Sequence, residues 1–143
     1  MIDNRTAPYA AFVLRAALGI MFVAHALLKY SVFTLPGTAK FFESLGLPGP
    51  LAYLTFAAEL IGGALIVAGF GTRWVALALV PVLLGATWAH AGNGWLFSAP
   101  NGGWEYPAFL AVAAAVQAML GDGKYALANL PFAARFQFFR GVA

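Results

Sequence analysis

A mostly apolar stretch from about Tyr9 to Phe33 carries three ionisable side chains, Arg15, His25 and Lys29, and this combination restricts the fold more than any other feature. The stretch is long enough to cross a bilayer, which takes about 20 apolar residues in a helix. Positions 15, 18, 22, 25 and 29 are separated by steps of three and four, so in a helix they share one face. An ionised side chain near the bilayer centre costs roughly 2.5–3.5 kcal/mol even on a lenient insertion scale. The polar face must therefore turn inward, toward partners on other helices. Such an inward stripe is a candidate functional site.

Three further spans support a membrane reading: about Leu51–Phe70, Trp74–Ala91 and Glu105–Leu120, the last being the shortest. Of 143 residues, 62% are hydrophobic and 9% charged, which leaves too little polar surface for a water-soluble domain. The expected fold is all-α: a single transmembrane domain over 1–143, built as a four-helix integral membrane bundle. The first span is too long and too charged for a cleavable signal segment. With four crossings both termini lie on one side. Arg5, Arg73, Lys124, Arg135 and Arg140 fall on that side and Lys40 on the other, so the positive-inside rule predicts cytoplasmic termini in a bacterial inner membrane. These basic residues are scattered as topology signals rather than gathered into a nucleic-acid patch.

The connections carry their own signals. In TLPGTAKFFESLGLPGP, Ala39–Leu45 can form a short amphipathic helix in the outer loop, and Pro48 and Pro50 prepare the start of the second span. Gly62 and Gly63 fit close helix packing. Pro81 is expected to bend the third span. The tail, 124–143, is too short and polar to cross, but Phe132, Phe136 and Phe139 recur at helical spacing beside Arg135 and Arg140. That pattern predicts a helix on the cytoplasmic leaflet, with docking on a partner subunit as the other use.

Four spans each deliver an ionisable group to the outer half of the bundle: His25 and Lys29, Glu59, His90, and Glu105. Glu59 lies about 12 Å from the outer start of its helix, near the midplane. Buried alone it would stay protonated, whereas beside Lys29 or Arg15 it can ionise and pair. The pairing could be a structural clamp. It could also be a proton-handling site, with Glu59 or a histidine exchanging protons with a redox ligand. His25 and His90 are also candidate axial ligands of a b-type haem, a less favoured alternative. No close His/carboxylate cluster suggests a metal site. Asn93, Trp95, Asn101, Trp104, Glu105 and Tyr106 form either an interfacial aromatic belt or a lid over a planar ligand. The chain has no cysteine, so electron chemistry needs a bound cofactor, a quinone or a partner subunit.

The runs RAALGIMFVAHALLK, LGLPGPLAYLTFAAELIGGALIVAGFGTRW and NGGWEYPAFLAVAAAVQAMLGDGKYALANL resemble the DoxX family of small bacterial membrane proteins, from about Arg15 to Leu130. The Glu-x-x-Gly-Gly run, its following Gly-x-x-Thr-Arg turn and the Gly-Trp-Glu-Tyr-Pro run carry the likeness. The resemblance implies a four-helix bundle with Arg15, His25, Lys29, Glu59, Gly62, Gly63, Arg73 and Glu105 at motif positions. It also implies a quinone-reactive or quinone-adjacent subunit of a redox assembly. The expected function is thus a membrane oxidoreductase subunit with a quinone-like ligand in its outer half. Glu59, His25 and Lys29 would act on the ligand; His90, Glu105, Trp104 and Arg15 would help bind it. Other membrane or redox subunits, or further copies of the chain, are the expected partners besides lipid. A non-catalytic accessory subunit, with the buried charges as glue, is the alternative.

Overall fold

The computed structural model describes residues 3–130, and these are helical throughout their long elements, with no strand among them. Five α-helices follow in chain order: α1 (Ala7–Ser31), α2 (Leu35–Ser44), α3 (Pro50–Ala68), α4 (Thr72–His90) and α5 (Glu105–Leu120). The predicted amphipathic tail helix, with its three phenylalanines, lies outside the described residues. Within 124–130 the chain makes one 3-10 turn, Leu127–Asn129.

Local chemistry sets the helix boundaries. Pro8 and Pro50 stand in the first turns of α1 and α3, where a missing N–H leaves no bond unmade. The loop helix α2 begins at Leu35, four residues before the sequence expectation. There the Thr34 hydroxyl accepts from the Gly37 N–H at 3.2 Å, and Pro36 initiates the helix rather than breaking it. α3 stops where Gly69 takes a left-handed conformation, φ 71° and ψ 48°, with Phe70 N–H returning to the Leu65 carbonyl. Pro81 sits inside α4, which continues as one helix to His90.

Helix α1 packs along α3, α3 lies beside α4, α4 runs along α5, and α5 touches α1, so the four longest helices enclose a common interior. The α1–α3 seam is closest at two glycines. A Cβ on Gly63 would come within 2.9 Å of the Gly19 carbonyl oxygen and of Phe22 Cβ, so backbone lies almost against backbone. Gly62 faces the other way, where a Cβ would come within 2.9 Å of Leu79 on α4. The consecutive glycines thus bring α3 close to both neighbours. Leu18, Phe22, Ile66, Leu79 and Leu83 fill the interior with a run of alanines on α5.

The outer surface is the reverse of a soluble protein's. Val13, Ile20, Leu54, Ile61, Leu77, Leu84, Phe109 and Val112 are exposed, whereas Arg15, Glu59, Thr72 and Gln117 are buried. Apolar side chains facing out over closed helical backbones suit hydrocarbon as solvent. Three helices, α1, α3 and α4, are long and apolar enough to cross a membrane, and α5, at 16 residues, is a shorter apolar helix. This is a membrane protein with a helical bundle.

The two ends of the bundle are built differently. At one end the α3–α4 turn and the segment after α5 are stitched together. Asp122 Oδ1 accepts the Thr72 N–H at 2.9 Å, Lys124 N–H donates to the Pro8 carbonyl, and Ala128 N–H to that of Gly69. Arg15 lies beneath them, wholly buried. The other end, toward the α4–α5 loop, holds His25, Lys29, Glu59 and His90 around a cavity.

Candidate functional site

Lys29, in the last turn of α1, reaches across to Glu59, midway along α3. Its Nζ donates to both carboxylate oxygens, at 2.9 and 2.7 Å, joining two helices by a two-point ion pair. Glu59 is 6% exposed, and the Lys29 side chain is 18% exposed. Two charges so placed are stable only because they neutralise one another. The pairing anticipated for Glu59 is with Lys29 and not with Arg15.

One turn before Lys29, His25 donates from Nδ1 to the Met21 carbonyl at 2.8 Å. A carbonyl oxygen only accepts, so this contact puts a proton on Nδ1, and in the neutral ring Nε2 is then the acceptor. The arrangement is repeated at the end of α4. His90 Nδ1 lies 3.1 Å from both the Asn101 and the Gly102 carbonyl oxygens, again requiring the proton on Nδ1. Asn93 Nδ2 donates to the same two carbonyls at 3.1 and 3.0 Å, holding the α4–α5 loop over the end of α4. Among the described residues neither Nε2 has a hydrogen-bond partner.

These groups share a cavity of about 260 Å³. His25, Lys29, Glu59 and His90 all line it, with Leu18, Phe22, Leu83 and Leu110 as apolar walls and Phe97, Gly102 and Gly103 from the loop. Its volume lies just below the roughly 300–1,000 Å³ seen for small-molecule sites, and its mixed lining is typical of them. Tyr106 also lines it, its ring stacked on His25 with centroids 5.8 Å apart and planes 26° from parallel. Sequence reasoning placed Tyr106 only in the aromatic loop. A tyrosine at a helix start in a membrane protein resembles an interfacial anchor, and no local pattern distinguishes the two uses.

The other anticipated site residues lie elsewhere. Glu105 accepts the Phe97 N–H at 2.9 Å, bracing the loop from beside the cavity. Trp104 meets Trp95 edge-on at 4.5 Å and is likewise not part of the lining. Arg15 is at the stitched end. Its Nη1 donates to the Ile66 and Val67 carbonyls at 3.2 and 2.9 Å, and its Nη2 to those of Lys124 and Tyr125 at 3.2 and 3.3 Å. The guanidinium thus ties the C-terminal end of α3 to the segment after α5. Among the described residues no group of three or more His, Cys, Asp or Glu is assembled that could hold a metal ion.

Residues 10–92, which include α3, α4 and all but the first three residues of α1, with Arg15, His25, Lys29, Glu59 and His90, match the DoxX family profile. The chain belongs to the DoxX family. It is 40% identical over 83 residues to a Bacillus subtilis (strain 168) protein named "Putative oxidoreductase CatD". That match covers 58% of this DoxX chain and 60% of CatD, so it spans less than two thirds of the relative's length. No solved structure matches the chain.

Proposed function

We propose that this DoxX protein is the membrane subunit of an oxidoreductase and that its cavity binds the head group of a quinone-like ligand. The observation that carries the reading is the convergence of His25, Lys29, Glu59 and His90 on one partly apolar space sized for a single substituted ring. The name of CatD supports the redox class. A ring-sized volume suits a quinone head group better than a haem macrocycle, although both histidines keep Nε2 free.

When bound, a quinone supplies the two-electron, two-proton couple that this cysteine-free chain lacks, the electrons coming from a partner redox subunit. The protein's part is binding and proton handling. Lys29, already held by Glu59, is the donor for a ligand oxygen and gives it a proton, and the Glu59 carboxylate, ionised in the pair, takes up the replacement proton. His25 Nε2 and His90 Nε2 are acceptors on the walls, each oriented by its backbone contact. The apolar lining keeps water from competing for these hydrogen bonds. In this reading α5 completes four crossings of a bacterial inner membrane, with both termini cytoplasmic and the cavity in the outer half.

The protein purified in detergent should retain a quinone, detectable by mass spectrometry of its organic extract at a substantial fraction of one per chain. An extract holding phospholipid without quinone would contradict the reading. The accessory-subunit reading also has an observation in its favour, since the Lys29–Glu59 pair is complete without any ligand. The two readings separate on the behaviour of that pair when it is removed.

A further inference from the structure

Among the described residues, five have a buried side-chain nitrogen or oxygen with no hydrogen-bond partner: Arg15, Thr72, Arg73, Tyr106 and Gln117. Only Tyr106 lines the cavity. Leaving a buried hydroxyl unpaired is costly, on the scale of a lost hydrogen bond, and native interiors rarely tolerate it without cause. The neighbouring polar groups differ from it. Lys29 and Glu59 satisfy one another, and the Nδ1 atoms of His25 and His90 are held by backbone carbonyls.

We propose that the Tyr106 hydroxyl is the anchor for a ligand oxygen in this cavity, donating a hydrogen bond that nothing among the described residues accepts. The ring is fixed by its stack on His25, and Tyr106 sits in the first turn of α5 next to the buried Pro107. A phenol so held loses little freedom when it binds. With the Tyr106 hydroxyl turned to a ligand, the stacked pair offers one O–H donor and, on a neutral His25 ring, one acceptor at Nε2. That combination recognises an oxygen-substituted ring and offers nothing to a plain hydrocarbon of the same size. The inference rests on the quinone-like reading of the cavity and adds to it the residue that selects the oxygen.

The test compares the full chain with its Tyr106→Phe variant in detergent, titrating each with a short-chain benzoquinone and, separately, with an alkylbenzene of similar size. The phenylalanine ring can keep the stack on His25, so the comparison isolates the hydroxyl. Benzoquinone affinity should fall about fivefold to tenfold, the weight of one neutral hydrogen bond, and alkylbenzene binding should not distinguish the two proteins. The unfolding temperature of the ligand-free variant should be unchanged or higher, because the substitution removes an unpaired polar atom. Equal benzoquinone affinities would overturn the anchor and leave the cavity reading standing. A lower ligand-free unfolding temperature would also overturn it, by showing that the hydroxyl serves the fold. Failure of the unsubstituted protein to bind benzoquinone would remove the quinone reading and the anchor with it.

Discussion

Replacing Glu59 with glutamine should reduce quinone-linked turnover at least about 100-fold, the lower bound expected when a positioned proton-transfer group is lost. The same change should destabilise the protein by about 2–3 kcal/mol, less than the full effect of breaking a buried pair because Lys29 retains some exposure. Stability and turnover therefore fall together in this variant. Replacing both partners separates them. Lys29→Met with Glu59→Leu exchanges the ion pair for apolar side chains of similar reach, which is often neutral or stabilising in a protein interior. If Glu59 handles protons, the double variant should accumulate and unfold like the parent yet stay inactive. Recovery of turnover along with stability would show the pair to be glue. Thermal unfolding in detergent and quinone reduction by membranes containing equal amounts of each protein are the measurements required.

The largest loss of stability is expected at Arg15, away from the cavity. Leucine there would strand the carbonyls of Val67, Lys124 and Tyr125 and leave that of Ile66 with only the Gly69 N–H, where one wholly buried guanidinium now serves all four. Hydrogen bonds to a charged donor contribute about 1.5–3 kcal/mol each, and partial access of water to the half-buried carbonyls offsets part of the sum. A net destabilisation of about 3–5 kcal/mol is expected. Lysine should recover only part of it, because one ammonium cannot span two carbonyl pairs as a planar fork does. Limited proteolysis gives the local readout: the segment 121–130 should become cleavable in Arg15→Leu before the helices do. An unfolding temperature equal to the parent's would refute this role.

Much of this architecture is legible in the sequence because a membrane helix announces itself by length and composition. The expected spans 9–33, 51–70, 74–91 and 105–120 correspond to α1, α3, α4 and α5, with boundaries displaced by two residues or fewer. The α2 start was harder to read because Pro36 and Gly37 look like chain breakers unless the Thr34 cap is known. Helical periodicity placed His25 and Lys29 on one inward face, and depth and charge made Glu59 demand a partner. Arg15 was on the same stripe, but its partners are backbone carbonyls, which carry no side-chain signature. Glu105 and Trp104, read from the sequence as ligand-binding, make loop contacts here, Glu105 with the Phe97 N–H and Trp104 with Trp95. Tyr106 belonged to the same aromatic run, and only the cavity distinguishes it from its neighbours.

Photolabelling reads directly whether this cavity receives a quinone-like head group. Full-length protein in detergent, irradiated with a photoreactive azidoquinone and digested, should carry label on the segments 18–29 and 102–110. An excess of unlabelled benzoquinone should suppress that labelling. Label spread over the lipid-facing positions Leu54, Ile61 and Leu77, and indifferent to competitor, would show that no quinone-like head group enters the cavity.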